Sequence, residues 1–253
     1  MKSLIIMPRN IIYSVDVEPD LHSKAYFGIK KGLKEFEKVC DKYKVRPILF
    51  ITADCAEKYP LIFKKFYRKG WDISLHGLSH KRFDDMSYEE KEHEIKKSID
   101  IFKKNLGIRP KGFRAPQHSI DEETLDLLEK YGFVYDSSYT PLNLLQLIFF
   151  PKRFKLWMRG FFSPIRPYNI RHKLIEMPVS SLIIPFVSLT IRIFPLWLSK
   201  IYVGVIKLIY EKPIFYAHSW DFIELKESRI DKKFNHQNFI KKLGGLMEHE
   251  SKN

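Results

Sequence analysis

The sequence predicts an α/β fold with a parallel sheet which, at this length, closes into a barrel. From residue 11 to residue 136, short apolar runs alternate with amphipathic helical segments, and the links between them are short. Five apolar runs along the chain end in a charged or histidine side chain. Because the carboxyl ends of parallel strands open on one face of a barrel, we expect these five side chains to lie together.

The strands and helices follow one another in a regular order. The predicted strands cover residues 11–16, 47–52, 71–76, 112–114, 133–136, 175–179 and 213–218. The predicted helices cover about 29–40, 61–67, 87–106 and 122–131, with a C-terminal helix over about 235–249. Ser87 followed by Glu90 resembles a capping box, and Gly70, Gly107 and Gly132 are expected to end helices.

The alternation stops between residues 141 and 210, where the chain is aromatic, basic and rich in proline. Ten Lys or Arg residues stand there against one acid, Glu176, so these 70 residues supply +9 of the net charge of +14. We interpret the segment as an insertion before the last strand of a single domain, residues 1–253, whose core spans about 11–222.

Three interpretations of the 141–210 segment stay open. An anionic membrane surface would attract its lysines and arginines and accept its apolar clusters and its tryptophans. An ordinary barrel exterior with a basic surface is the second. Nucleic acid is the third, and the apolar clusters, such as 147–157, disfavour it.

The location is expected to be cytoplasmic, with peripheral contact to a membrane as an option. Cys40 and Cys55 form no CxxC pattern, which argues against a disulfide framework and against a metal held by cysteines. Residues 1–10 contain too short an apolar core for a signal peptide. No stretch reaches the ~18 uncharged apolar residues of a spanning helix.

Two histidines and two carboxylates suggest a metal centre. His76 and His80 are four residues apart and can converge on one divalent cation. A catalytic zinc keeps three protein ligands, and Asp16 and Glu18 lie on one side of an extended chain. One of these carboxylates could bind the metal while the other accepts a proton, and His218 could protonate the leaving amine.

Five short motifs, in this order, resemble those of the polysaccharide deacetylases of the NodB-homology type, carbohydrate esterase family 4. They are Ser-Val-Asp-Val-Glu-Pro-Asp at 14–20, Ser-Leu-His-Gly-Leu-Ser-His at 74–80, Phe-Arg-Ala-Pro at 113–116, Tyr-Asp-Ser-Ser-Tyr at 135–139 and Tyr-Ala-His-Ser-Trp at 216–220. The resemblance implies a distorted (β/α)7 barrel and metal-dependent removal of an N-acetyl group from an amino sugar.

The resemblance also implies a role for each matching residue. Asp16 would be the general base with Arg114 orienting it, His218 the general acid with Asp136 orienting it, and Glu18, His76 and His80 the metal ligands. Zinc is the first choice of metal, with other divalent transition metals as alternatives. The backbone N–H of Gln117 would help bind the oxyanion.

The first motif departs from the family pattern of adjacent aspartates. Val17 stands where the second aspartate is usual, so the ligand becomes Glu18, with Asp20 as the alternative. The main hypothesis is an N-deacetylase acting on a lipid-linked or membrane-proximal saccharide. The alternatives are a hydrolase of another non-peptide amide on the same scaffold, and a non-catalytic module that binds saccharide or membrane.

Overall fold

The chain folds around one mixed sheet that curls into a half-barrel, with helices packed against it. The computed structural model describes residues 10–21, 25–149, 154–225 and 232–252. The strands are β1 (Ile12–Val17), β2 (Ile48–Ile51), β3 (Asp72–Leu75), β4 (Gly112–Phe113), β5 (Tyr135–Asp136), β6 (Tyr168–Asn169), β7 (Ile175–Glu176), β8 (Ser181–Leu182), β9 (Ile184–Pro185) and β10 (Ile214–His218). The main sheet has the order β10-β1-β2-β3-β4-β5-β7-β6, while β8 and β9 form a separate hairpin.

The ten α-helices in the described residues are α1 (Leu33–Lys42), α2 (Ala53–Lys58), α3 (Pro60–Arg68), α4 (Tyr88–Ile101), α5 (Glu122–Lys130), α6 (Leu144–Phe149), α7 (Phe154–Phe161), α8 (Ser188–Ile193), α9 (Leu196–Ile209) and a C-terminal helix (His236–Ser251). The sequence predicted five of these ten, namely α1, α3, α4, α5 and the C-terminal helix. The capping box at Ser87 is present, with its hydroxyl accepting from the Glu90 N–H. Within the described residues, no helix is both long and apolar enough to cross a membrane.

The register of the central strands sets where the site can form. All pairs in the main sheet are parallel except β6 with β7. Asp16 of β1 lies opposite Phe50 of β2 on one side and His218 of β10 on the other. The carboxyl ends of β1, β3 and β10 therefore come together, because parallel strands end on the same side of the sheet.

Residues 141–210 contribute strands to the main sheet, in addition to helices outside it. β7 pairs with β5 and carries β6 on its other side. Val187 forms an isolated parallel bridge with Tyr216, next to β10 in the half-barrel. The segment thus supplies strands as well as the helices α6 to α9, none of which the sequence pattern predicted apart from the strand at 175–179.

The C-terminal helix covers the outside of the half-barrel. Its residues Phe239, Leu243, Leu246 and Met247 are buried in the same core as the central strands. It contacts α1, α8 and α9. This packing joins the end of the described chain to the helices that precede β10.

Substituting Gly112 tests the packing of β4 on β5. A Cβ at this position would overlap the ring of Tyr135, which is held by hydrogen bonds to Ser74 and Asp72. We expect Gly112→Ala to lower the free energy of unfolding by about 1–3 kcal/mol, because the ring cannot move away freely. Chemical denaturation measures the change.

The matched control is Gly204→Ala in the exposed part of α9, where an added Cβ meets nothing within 4 Å. This variant should be about 0.5–1 kcal/mol more stable, because alanine favours a helix. Equal effects at both positions would contradict the packing argument.

Candidate active site

The residues at the strand ends do converge, and they do so at the carboxyl end of the sheet. Asp16 is the last residue but one of β1, while His218 and Asp136 are the last residues of β10 and β5. His76 and Arg114 follow β3 and β4 directly. Glu18 and His80 come from the loops after β1 and β3. The sequence therefore located the site edge correctly from strand ends alone.

Glu18, His76 and His80 form one compact group of possible metal ligands. Their ligand atoms all lie within 4.8 Å of one another, and only His80 is partly exposed. His80 reaches the group through a left-handed backbone (φ 62°) that follows Gly77 (φ 77°). Its Nε2 atom is in direct contact with the Glu18 carboxylate.

A hydrogen bond fixes the tautomer of His76. Its Nδ1 donates to the carbonyl oxygen of Arg114 at 2.8 Å, so Nε2 is left to bind a metal. Burial lowers the pKa of His76 to about 4 and keeps the ring neutral. Burial acts to raise the pKa of Glu18, but the hydrogen bond with His80 and the nearby histidines outweigh it, so that pKa is lowered. Two imidazoles and an ionised carboxylate are a donor set that suits a divalent zinc-type ion.

Asp16 lies beside this group and is held by Arg114. Arg114 Nη1 donates to Asp16 Oδ1 at 2.7 Å, and Asp16 Oδ2 is 3.9 Å from His76 Nε2. Burial acts to raise the pKa of Asp16, but Arg114 and His76 lower it to about 2. One carboxylate oxygen is thus occupied by the guanidinium, while the other faces the ligand group.

The Arg114 guanidinium is fully buried and has few ways to move. Its Nε donates to the Ser137 carbonyl at 2.9 Å and its Nη2 to the Ser137 hydroxyl at 2.9 Å. Its Nη1 also donates to the Ser14 hydroxyl at 3.0 Å. Arg114 therefore joins β1 to the loop after β5.

His218 lies on the other side of Glu18. Its Nε2 is 3.9 Å from Glu18 Oε1, and its ring stacks on Trp220 with 4.2 Å between centroids and 9° between planes. Its backbone N–H donates to Asp221 Oδ2 at 2.8 Å, and its Nδ1 is 3.6 Å from the same oxygen. Burial acts to lower the pKa of His218, but Asp221 and Glu18 raise it to about 9.

The predicted contact between Asp136 and His218 is wrong, because Asp221 occupies that place. Asp136 Oδ1 instead accepts from the Ser138 hydroxyl at 2.7 Å. Asp221 follows His218 by three residues within one short helical turn, which is a local signal that the sequence contained. Asp221 is in turn held by Arg192 of α8, whose Nη2 donates to its backbone carbonyl at 2.6 Å and lies 3.4 Å from Oδ1.

Glu176 is a second buried acid, after Asp221, that the sequence analysis did not assign to the site. It lies fully buried against Asp136, and its Oε1 accepts from the Tyr139 N–H at 3.0 Å. Burial raises the pKa of Glu176 well above its ordinary value, and the neighbouring Asp136 raises it further; burial also raises the pKa of Asp136. Burial thus favours the protonated form of this pair by raising the pKa of both carboxyl groups.

Asp20 lies outside the ligand group, whereas the role of the Gln117 N–H stays a prediction. The Asp20 carboxylate accepts from the N–H groups of Phe27 at 2.6 Å and Gly28 at 2.8 Å. It closes the loop after β1 and lies outside the ligand group formed with Glu18. Gln117 has a left-handed backbone (φ 52°) and accepts through its side chain from Arg82.

Part of the chain is similar to known proteins. Residues 20–135 match the family model described as polysaccharide deacetylase. Over 119 residues the chain is 32% identical to peptidoglycan deacetylase-like protein FGM2 of Gibberella zeae, covering 46% of this chain and 35% of that protein. Over 126 residues it is 29% identical to the peptidoglycan deacetylase of Helicobacter pylori, covering 50% and 43% of the two chains.

A solved structure shows how widely the fold is shared. The structure of Puue allantoinase superposes with a TM-score of 0.66 at 12% identity, covering 96% of this chain and 84% of that one. At this identity the likeness concerns the fold alone. With the family match, it identifies the sheet as a distorted (β/α) barrel.

The family-model match over residues 20–135, the curated relatives and the fold all support the polysaccharide deacetylase family, the NodB-homology group of carbohydrate esterase family 4. The chain spans less than half the length of the two curated relatives that it matches.

The first prediction for this site concerns metal binding. We expect the protein to bind one zinc ion per chain and His76→Ala to weaken its affinity by about 100-fold or more, because a buried ligand with a fixed tautomer is lost. Calorimetric titration of chelator-treated protein measures the affinity. His93→Ala, an exposed histidine on α4, is the control and should bind as the unaltered protein does. Equal affinity in both variants would contradict the ligand assignment.

The second prediction concerns stability against pH. The folded protein keeps the Glu176 proton that the unfolded chain loses above about pH 4.5. Stability should therefore be complete below that pH and fall as the pH rises through the raised folded pKa. Glu176→Gln removes the need for this proton, so we expect its unfolding free energy to fall less between pH 5 and about pH 8.

Urea unfolding at several pH values measures this slope. Glu57→Gln on the exposed side of α2 is the control and should keep the slope of the unaltered protein. A Glu176→Gln slope no different from that of the control would show that the pair holds no proton.

Proposed function

We propose that the protein is a metal-dependent hydrolase that removes the acetyl group from an N-acetylated amino sugar. The observation that carries this proposal is the position of Asp16. Its free oxygen faces the group formed by Glu18, His76 and His80 while Arg114 holds the other oxygen. The family-model match supports an amide substrate, and the names of the relatives point to acetylated saccharides.

Glu18, His76 and His80 would hold the metal, for which zinc is our first choice. When bound, a divalent metal in such a site polarises the acyl carbonyl and lowers the pKa of a coordinated water. Two ligands come from the loop after β3 and one from the loop after β1. Both loops lie at the carboxyl edge of the parallel sheet, with β2 between β1 and β3, so the fold brings the three ligands together.

Asp16 would act as the general base. Its Oδ2 is the oxygen not bound by Arg114, so it is the one available to accept a proton from the attacking water. Arg114 fixes the direction of that oxygen through its own bonds to Ser137 and Ser14. The base is thereby held at one orientation before substrate arrives.

His218 would donate the proton that the departing amine needs. The ring Nε2 lies 3.9 Å from Glu18 Oε1, and His218 is the register partner of Asp16 on the adjacent strand, so the proposed acid adjoins both the metal ligands and the base. Stacking on Trp220 fixes the plane of the ring, and the Asp221 carboxylate stabilises its charged form. Asp221, not Asp136, is therefore our candidate for the residue that positions the acid.

The saccharide is proposed to be lipid-linked or to lie close to a membrane. The support is the basic, apolar character of residues 141–210, whose helix α8 packs against β10, the strand that ends at His218. Peptidoglycan is the saccharide in the names of the two relatives, and a membrane-bound saccharide with the same acetylated amino sugars fits that class.

The test uses chelator-treated protein with and without added zinc. Acetate release is measured on chitin oligosaccharides, on a membrane lipid extract and on small cyclic amides, and the products are weighed by mass spectrometry. Zinc-dependent acetate release from a saccharide is the expected result. Turnover confined to cyclic amides would assign the scaffold to another amide hydrolase, and binding without any turnover would assign it to a non-catalytic module.

Asp16→Asn should remove the carboxylate that acts as general base, while the metal ligands Glu18, His76 and His80 stay in place. We expect kcat for deacetylation to fall by about 10³-fold, within the range for a general base, while zinc affinity stays within a few-fold. The control is Asp100→Asn, an exposed position on α4. If Asp16→Asn retained the turnover of that control, Asp16 would not be the base.

Two aspartates can be compared directly as partners of His218. We expect Asp221→Asn to lower kcat by about 10²-fold with little change in KM, because the charged imidazole loses its stabilising carboxylate. Asp136→Asn should affect turnover less. Asp221→Glu, which keeps the charge, should recover part of the loss. A larger loss for Asp136→Asn than for Asp221→Asn would restore Asp136 to that role.

A further inference from the structure

A continuous apolar stripe runs along the outer side of α8 and α9. Its members are 40% to 71% exposed and follow one another at intervals of four residues, with a last interval of three: Leu189, Ile193, Trp197, Ile201, Val205 and Leu208. α8 ends at Ile193 and α9 begins at Leu196, so this spacing places the first two side chains on one face of α8 and the last four on one face of α9. We call this surface the α8–α9 stripe.

The stripe is part of an uneven distribution of exposed apolar groups. Of the twenty large apolar side chains exposed in the described part of the chain, fourteen lie within residues 141–210. That segment is about a quarter of the chain, so the excess is local. Single exposed apolar residues need no explanation, but a contiguous set marks a contact surface.

Residues 141–210 supply more positive than negative charge, although Lys207 of α9 is paired with Glu250 at 2.7 Å and Glu211 precedes Lys212. Glu176 is the one acid within residues 141–210, and it is fully buried, so the segment presents no carboxylate to the outside. Lys200 lies within α9 and Lys212 just beyond its end. The partner of this face should therefore combine an apolar interior with negative charge.

The stripe is presented by a firmly held support. Lys242 of the C-terminal helix donates to the carbonyls of Arg192 at 2.8 Å and Phe194 at 2.6 Å, which end α8. On the inner side of α9, Val203 and Ile206 are buried in the core. The face is thus formed in advance, and contact needs little ordering of the chain.

We propose that the α8–α9 stripe docks on the surface of an anionic lipid bilayer. The apolar side chains would enter the boundary between headgroups and acyl chains, while the lysines meet the phosphates. A second copy of the chain fits less well, because a symmetric contact would bring the net positive charge of residues 141–210 against itself. The inference rests on one part of the proposed function, namely that the saccharide substrate lies at a membrane.

The test is cosedimentation with vesicles of equal parts phosphatidylglycerol and phosphatidylcholine. We expect binding of the unaltered protein to weaken as salt rises, and to be weaker on pure phosphatidylcholine. The triple variant Trp197→Gln, Ile201→Gln, Leu208→Gln should bind the anionic vesicles at least about tenfold more weakly, because it loses most of the apolar contact.

The matched control is Leu61→Gln with Tyr67→Gln, which removes two equally exposed apolar side chains from α3. This variant should bind vesicles as the unaltered protein does. Because every altered side chain is exposed, the thermal unfolding midpoints should agree within a few degrees, which excludes misfolding as the cause.

Three results would overturn the proposal. They are the absence of vesicle binding, equal binding by the triple variant, and a dimer by light scattering that the triple variant converts to monomer. Failure of docking is separable from failure of the proposed function. The triple variant should still release acetate from a soluble oligosaccharide, and His76→Ala should still bind vesicles.

Discussion

The ion pair between Arg114 and Asp16 is the interaction on which the rest of the site depends. Both groups are buried, and charges removed from water destabilise a fold unless partners satisfy them. The hydroxyls of Ser14 and Ser137 and a backbone carbonyl supply those partners, so the ends of β1 and β5 are fixed together. The carbonyl of Arg114 in turn sets the tautomer of His76. One buried cation therefore aligns the base and a metal ligand at once.

The sequence was sufficient to predict the central part of the fold and most of the site. Hydrophobic strands with polar ends located Asp16, His76 and Arg114, because the position of a strand end needs only local pattern. The partner of His218 could not be predicted in that way. β5 and β10 are separated by four strands in the sheet, so whether Asp136 reaches His218 depends on how tightly the sheet curls. That curvature is a property of long-range packing, and the shorter local path from Asp221 is the one the chain uses.

Residues 141–210 were the least predictable part for a related reason. Strands of two residues, such as β6 and β7, are too short to show a period of alternation. Glu176 appeared in the sequence only as a lone acid among basic residues, yet it is buried with Asp136 under the loop that carries Ser137 and Ser138. Charge counted along a sequence does not distinguish a solvated carboxylate from one that keeps its proton inside the fold.

The contacts of Arg192 have a consequence for how the outer helices and the active site communicate. Arg192 belongs to α8, but its side chain points inward and holds Asp221, the carboxylate beside His218. Helix α8 carries one end of the exposed stripe on its outer side. On its inner side, Arg192 contacts Asp221, and Asp221 lies beside the candidate acid His218. Any displacement of α8 must move that carboxylate or break its bond to Arg192. Docking on the outer face that displaced α8 would therefore change the surroundings of His218, and such a coupling would act equally in both directions.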